Sequence, residues 1–259
     1  MRGQVLYWFL ALGWIHFETA TCVSAGLPER IERVKSSIVA VGTYQKTRNP
    51  AFVFRGTGFA VGDGTLIATN AHVLPDTLAE ESHELLVVLG PQPAGQQGQP
   101  RQARAIAVEK SHDIALLKVS GGPFPPLPLY EPAVVEGEVF AFTGFPLGSI
   151  LGLAPVTHRA MVSSVTSIAL PTVTQRQLDS TAIRRLRAEP IPIFQLEATA
   201  YPGNSGSPLY DIETGGVVGI INMVFVTTTR EKLPSPPSGL TFAIPVRYLR
   251  ELLNAAAAR

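Results

Sequence analysis

The sequence predicts an all-β fold, and three observations carry that prediction. Short runs rich in Val, Ile, Thr and Phe recur along the chain with turn residues between them. Glycine (23 residues) and proline (22 residues) are frequent enough to punctuate many short connections. Of 259 residues, 46% are hydrophobic and 16% charged, so the chain can bury a substantial core. Such a length forms either one all-β unit or two small barrels sharing a cleft.

The amino terminus carries Arg2, an apolar stretch from Val5 to about Ile15, and a more polar region ending in Val23-Ser24-Ala25. The apolar part is shorter than the roughly 20 residues of a spanning helix, and small residues at 23 and 25 suit cleavage after Ala25. Residues 1–25 are therefore expected to be a signal peptide, which places the protein in the periplasm or outside the cell. His16 and Glu18 make the region atypical and keep an uncleaved anchor open. Lipidation of Cys22 is disfavoured by Thr19-Ala20-Thr21, which lacks an apolar start. Cys22 is the one cysteine of the chain, so cleavage after Ala25 leaves neither thiol nor disulfide, and stability must come from packing.

Pro28 to Lys35 reads as a short helical lead-in, and Ser37 to Tyr44 has the β-branched content of a strand. Gly56 to Thr69 reads as a hairpin turning at Gly62-Asp63-Gly64 and delivering His72 to a strand end. Further strands are expected at Leu85 to Leu89, Ala103 to Glu109, Ile114 to Val119, Val139 to Thr143, Ala160 to Ser167, Phe194 to Glu197, Pro208 to Tyr210, Val217 to Val226 and Leu240 to Ile244. Gly90 to Pro100, rich in Gly, Pro and Gln, is an exposed hairpin loop in this reading. The proline-rich run from Gly121 to Pro128 cannot sustain a ladder. It marks an inter-barrel linker, assigned to 123–132, with an amino-terminal barrel over 26–122 and a carboxyl-terminal barrel over 133–259. Val246 to Leu253 and the alanine run after it predict a closing helix packed on the second barrel.

Three separated segments carry the chemistry: Thr69-Asn70-Ala71-His72-Val73, Asp113-Ile114-Ala115-Leu116-Leu117 and Gly203-Asn204-Ser205-Gly206-Ser207-Pro208. A serine hydroxyl is a poor nucleophile at neutral pH. It needs an imidazole to take its proton and a carboxylate to fix that imidazole's tautomer and stabilise its cation. His72, Asp113 and Ser205 supply the three groups in the order His, Asp, Ser of chymotrypsin-type enzymes. Taken singly, each segment is ordinary loop or turn chemistry. The joint occurrence in this order is what points to nucleophilic catalysis.

With these residues in hand, the chain resembles the trypsin-like serine peptidases, and within them the catalytic domain of the HtrA/Deg branch. The resemblance rests on GTGFAVGDGTLIATNAHVL at 56–74, DIALLKV at 113–119, YPGNSGSPLYD at 201–211, GVVGI at 216–220 and FAIPV at 242–246. It implies two perpendicular six-stranded antiparallel β-barrels with the site between them and a carboxyl-terminal helix. It also implies a serine endopeptidase acting on polypeptides, in this branch unfolded or damaged envelope proteins, without metal or cofactor. His72 would be general base and then general acid, Asp113 its orienting partner, and Ser205 the nucleophile. The amides of Gly203 and Ser205 would form the oxyanion hole, and Asn204 would take no chemical part.

The chain departs from the HtrA pattern in two ways. Ser207 stands where many members have a second glycine, a form shared with glutamyl endopeptidases; their specificity histidine is replaced here by Ile221. Thr199 occupies the position of the pocket-base aspartate of trypsin-like enzymes. Thr199 and Ile221 together suggest a pocket for small or medium apolar side chains. The PDZ domain usual in HtrA proteins is expected to be missing after the closing helix, and Pro171 to Pro192 takes the place of a family regulatory loop, read either as a switch or as a plain insertion. Trimers through amino-terminal contacts are common in HtrA relatives, and Gly26 to Ser36 carries no signature that decides for a homo-oligomer.

A net charge of +1 implies no particular partner. The densest basic group, Arg184, Arg185 and Arg187, is interrupted by Leu186 and followed by Glu189, which argues against a nucleic-acid track. His83, His112 and His158 have no carboxylate or second histidine at ligand spacing and read as ordinary polar residues. His112 is expected to face away from the triad because strand neighbours alternate faces. Asp63 and Asp211 read as turn formers. Two other classes stay open: a trypsin-fold peptide-binding scaffold with a resting or inactive site, and a nonspecific esterase.

Overall fold

The computed structural model describes residues 27–91, 98–168, 191–223 and 239–258. The expected signal segment, the tip of the Gly90 to Pro100 loop, most of Pro171 to Pro192 and the end of the strand expected to reach Val226 lie outside them.

A short helix α1 (Leu27–Lys35) leads into β1 (Ile38–Tyr44), β2 (Phe52–Val61), β3 (Leu66–Thr69), β4 (Leu85–Leu89), β5 (Arg101–Glu109) and β6 (Ile114–Val119). These six close into an antiparallel barrel in the order β1-β2-β3-β6-β5-β4. The chain continues through β7 (Val139–Gly144), the single turn α2 (Gly148–Leu151), β8 (Val156–Ile168), β9 (Ile191–Glu197), β10 (Pro208–Asp211), β11 (Val217–Asn222) and β12 (Leu240–Pro245), and ends in α3 (Val246–Ala257). The second six strands also close, in the order β10-β11-β12-β9-β8-β7. Read around the ring from β7, this is first, second, third, sixth, fifth, fourth, the same order as in the first barrel. The expectation of two six-stranded antiparallel barrels with a carboxyl-terminal helix holds.

The apolar runs of the first barrel explain themselves by where their two faces go. In β1, Val39 and Val41 join a cluster confined to the first barrel, with Ile67, Val88 and Leu117. Their neighbours Ile38 and Ala40 belong to a larger cluster continuous with Phe142, Leu209 and Ile220 of the second barrel. The same split divides Ile114 and Leu116 from Leu117 and Val119 in β6. Both faces are buried, so these strands read as continuous hydrophobic runs and not as alternating ones.

The β2–β3 turn forms at Gly62 and Gly64, which take φ of 62° and 82°, with Asp63 Oδ1 accepting the Thr65 N–H at 2.9 Å. Asp211 acts likewise after β10, accepting from the Thr214 N–H at 2.6 Å and from the Thr214 hydroxyl at 2.7 Å. Between β6 and β7 the chain bonds first to the first barrel, Phe124 N–H to Gly64 and Leu127 N–H to Ala60. It then bonds to the second, through the Tyr130 N–H and Val217.

The closing helix packs on β11 and β12 of the second barrel, as expected, and has further partners besides. Val246 and Leu249 are buried in the large cluster, and α3 also meets β5 and β6 of the first barrel. The contact there is Tyr248, whose ring stacks on His112 at 3.8 Å between centroids and 18° between planes. The helix therefore ties the two barrels together, because its arc of apolar side chains is wide enough to cover both.

Candidate active site

His72 lies in a single 3₁₀ turn, Ala71–Val73, directly after β3. Asn70 precedes it but makes no side-chain cap; its Nδ2 donates to the Asp113 carbonyl at 3.0 Å. The Ala71 N–H donates to the same carbonyl at 3.1 Å. The segment before β6 is thus fastened to the segment after β3, and the β3–β6 pairing, Thr69 opposite Ala115, brings the two together.

Asp113 is not part of β6. It sits one residue before the strand with φ of 53°, a left-handed conformation that short polar side chains tolerate better than most. His112 does point away from the triad, as expected, but strand alternation is not the reason. The left-handed residue between it and the strand turns the chain, and His112 pairs with Glu109 and stacks on Tyr248.

The Asp113 carboxylate receives three N–H groups. The His72 N–H donates to Oδ1 at 2.8 Å, His72 Nδ1 lies 2.6 Å from Oδ2, and Asn222 Nδ2 donates to Oδ2 at 2.6 Å. On the other side of the imidazole, His72 Nε2 lies 2.9 Å from Ser205 Oγ. The fold thus brings together the His, Asp and Ser singled out in the sequence. Asn222, at the end of β11, was missed by sequence reasoning. Its one available signal is a fully buried polar residue at the end of the apolar strand Val217–Asn222.

Ser205 is 5% exposed, on a loop whose two flanking glycines have steric reasons. Gly206 has φ of 87°, and a Cβ there would lie 2.0 Å from the Thr57 carbonyl oxygen. Gly203 has φ of 101°, and a Cβ there would lie 2.3 Å from the Phe145 carbonyl oxygen. Both contacts are with backbone, so no side chain could be admitted without moving the loop. The Gly203 and Ser205 amides donate to no acceptor among the described residues. Asn204 faces inward, fully buried, with its own N–H bonded to the Tyr201 carbonyl at 2.9 Å.

The two residues suggested for the specificity pocket are placed differently. Ile221 is fully buried in β11, its N–H bonded to the Ser207 carbonyl at 2.9 Å and its carbonyl accepting the Gly206 N–H at 3.0 Å. Thr199 is exposed, in the segment following β9.

Of the other histidines, His83 is exposed in a turn, and His158 stacks on Phe142 at 4.9 Å with its pKa pushed down by burial. No group of three or more His, Cys, Asp or Glu side chains able to hold a metal ion occurs among the described residues. No helix among them is long and apolar enough to cross a membrane.

Chemically, the arrangement allows a proton to pass from the Ser205 hydroxyl to an imidazole whose other nitrogen is held by a carboxylate. The Gly203 and Ser205 amides, which donate to no acceptor among the described residues, lie on the same loop as that hydroxyl. Comparison with known proteins agrees with the geometry. A probable periplasmic serine endoprotease, DegP-like, from Halomonas elongata is 30% identical over 192 residues, 74% of this chain and 32% of that protein. The mitochondrial serine protease HTRA2 of Bos taurus is 32% identical over 203 residues, 78% of this chain and 36% of that protein. A DegP-like protein of Pseudomonas fluorescens is 26% identical over 199 residues, covering 77% and 34%. The chain thus spans about a third of the length of these curated relatives. The trypsin-like peptidase domain family matches residues 56–220, a span that runs from β2 through His72, Asp113 and Ser205 into β11. The chain belongs to the trypsin-like peptidase family.

Proposed function

We propose that this domain is a serine endopeptidase that cleaves polypeptides through an acyl-enzyme. The observation that carries the reading is the position of one imidazole, His72, 2.6 Å from Asp113 Oδ2 at one nitrogen and 2.9 Å from Ser205 Oγ at the other.

In this mechanism Ser205 Oγ attacks the scissile carbonyl while His72 Nε2 takes the hydroxyl proton. Asp113 accepts from Nδ1–H throughout, keeping the tautomer that leaves Nε2 free and stabilising the imidazolium. The negative charge that develops on the carbonyl oxygen is taken up by the Gly203 and Ser205 N–H groups. One such preorganised donor is worth about 3 kcal/mol of transition-state stabilisation. His72 then gives its proton to the departing amine, and the C–N bond breaks to leave the acyl-enzyme. Water, deprotonated by His72, attacks the ester, and the carboxylic acid product leaves as Ser205 recovers its proton.

Thr199 in place of an acid and Ile221 in place of a specificity histidine favour small or medium apolar side chains on the acyl side of the scissile bond. The working halves are 26–122 and 133–259, joined by 123–132. The sequence features of residues 1–25 support export to the periplasm or beyond, as do the printed names of the DegP-like relatives. The mitochondrial HTRA2 name belongs to a relative in another compartment. The substrates proposed are unfolded or damaged polypeptides of that envelope.

The test compares the protein with its Ser205→Ala variant, by fluorophosphonate labelling and by cleavage of casein. Loss of both signals in the variant is the expected result. A wild type that neither labels nor cleaves would defeat the reading and favour a peptide-binding scaffold.

A further inference from the structure

We infer that Thr57, on β2 of the first barrel, is a positioning residue for the oxyanion site formed by the second barrel; the inference rests on the serine-peptidase reading above. Thr57 is fully buried, and every polar group it has is engaged with or beside the nucleophile loop. Its N–H donates to the Ser205 carbonyl at 2.9 Å. Its hydroxyl donates to the Gly203 carbonyl at 2.7 Å and accepts from the Phe145 N–H at 3.1 Å. Its own carbonyl accepts from the Thr69 hydroxyl at 2.7 Å, which fixes the position of β2 against the strand that leads to His72.

These bonds settle which way the Gly203 amide points. The peptide joining Gly203 to Asn204 is held at both ends, its C=O by the Thr57 hydroxyl and its N–H by the Tyr201 carbonyl at 2.9 Å. The preceding peptide, joining Pro202 to Gly203, has its C=O held by the Leu147 N–H at 2.8 Å. In a trans peptide C=O and N–H point in opposite directions, so this bond turns the Gly203 N–H away from Leu147. Leu147 itself takes the left-handed conformation, φ 51° and ψ 34°, in the turn that begins at Phe145. The Phe145 N–H is anchored on the same Thr57 hydroxyl. One oxygen therefore anchors both the nucleophile loop and the turn that orients its first donor.

A hydroxyl offers one donor and two acceptor sites, so threonine or serine satisfies both partners and valine satisfies neither. The experiment replaces Thr57 by Val, Ser and Cys in the full chain. It follows kcat and KM on a cleavable peptide and inhibition by a peptide aldehyde, whose serine adduct places an oxyanion in the same site. Thermal unfolding by circular dichroism runs alongside. Thr57→Val is expected to lower kcat about 10- to 100-fold, less than the roughly 100- to 1,000-fold cost of deleting an oxyanion donor outright, because the Gly203 N–H is misplaced and not removed. KM should move less than about threefold, and the aldehyde should weaken in parallel with kcat. Thr57→Ser should stay within about threefold of wild type. Thr57→Cys, a weak donor of similar size, should fall between them and carries the test if the valine variant does not fold. Equal losses in Ser and Val, an unchanged kcat in Val or Cys, or a loss confined to KM would overturn the inference. A wild type inert to fluorophosphonate would instead defeat the peptidase reading itself.

Discussion

Replacing Asn222 by leucine, a side chain of similar size, removes one donor from the Asp113 carboxylate. Asn222 Nδ2 donates to Oδ2 at 2.6 Å, the oxygen that also faces His72 Nδ1 at 2.6 Å. A hydrogen bond to an ionised acceptor contributes about 1.5–3 kcal/mol. In this site it keeps Oδ2 aimed at the imidazole when the imidazolium forms. If that alignment matters only as Ser205 loses its proton, the whole amount is taken from the transition state. At about 1.4 kcal/mol per factor of ten, kcat should fall roughly 10- to 150-fold with KM little changed. Steady-state kinetics on a short peptide measure both constants. A kcat within about threefold of wild type would refute the assignment of Asn222 as the third support of Asp113. The Asn222→Asp variant gives a second readout. Two carboxylates at this distance share a proton and titrate as a pair. While the proton is shared the contact persists; when it is lost at higher pH, two negative charges face each other and push Oδ2 from its place. The activity of this variant should therefore fall relative to wild type as pH rises. Superimposable pH profiles would sink the idea.

Three further predictions concern stability and packing. The Glu84 carboxyl is held down to about 2 from an ordinary 4.5, by hydrogen bonding from Thr43 first, then the Ala79 N–H and Arg48. A depressed carboxylate stabilises the fold above its unfolded pKa, and the contribution fades as pH falls from about 4.5 toward 2. Urea unfolding at pH 5 and pH 3 should show a larger drop for wild type than for Glu84→Gln; equal drops would contradict this. A Cβ on Gly144 would lie 2.0 Å from Ser207 Oγ, so Gly144→Ala should destabilise by about 1–3 kcal/mol, as overpacking does. Adding Ser207→Gly should recover part of that loss, since Thr57 Oγ1 at 2.9 Å and Asn204 Oδ1 at 3.0 Å still crowd the new Cβ, and a double variant no better than the single would argue against the contact. Tyr248→Leu removes the stack on His112 and should cost about 1 kcal/mol in chemical denaturation; an unchanged midpoint would mean that the stack adds nothing.

The triad was legible in the sequence because nucleophile chemistry demands particular residue types, and the segments around them carry turn residues whose steric needs are visible in one dimension. Gly203 and Gly206 are of that kind, each blocked by backbone from bearing a side chain. Thr57 and Asn222 were not legible, for opposite reasons. A β-branched threonine between two glycines fits any strand, so its hydroxyl attracts no notice. Asn222 was absorbed into an apolar run that seemed to continue past it, although a buried amide at a strand end needs a partner. The helix α3 was predicted from periodicity, but periodicity says which face is apolar and not how many neighbours that face will meet. Its contact with the first barrel depends on His112 being turned outward by Asp113, a backbone feature with no sequence signature.

The distribution of these bonds between the barrels bears on how the site is built. Asp113 and His72 belong to the first barrel, yet the amide that supports Asp113 comes from β11 of the second. Ser205 and Gly203 belong to the second, yet their carbonyls are held by Thr57 of the first. Each half of the chemistry is braced by the other half's scaffold. The apolar cluster beneath runs continuously from Ile38 and Phe59 to Leu209 and Ile220, so the barrels also share a core. A small relative movement of the barrels would therefore lengthen the Asn222–Asp113, Thr57–Gly203 and His72–Ser205 bonds together, and close packing resists such movement. Hydrogen-bonded groups that share one network couple more strongly than distant ones. Combining Thr57→Val with Asn222→Leu should accordingly cost less in kcat than the product of the two single losses, because the first change already loosens what the second supports. Strict multiplication of the two factors would mean that the barrels brace the two halves of the site independently.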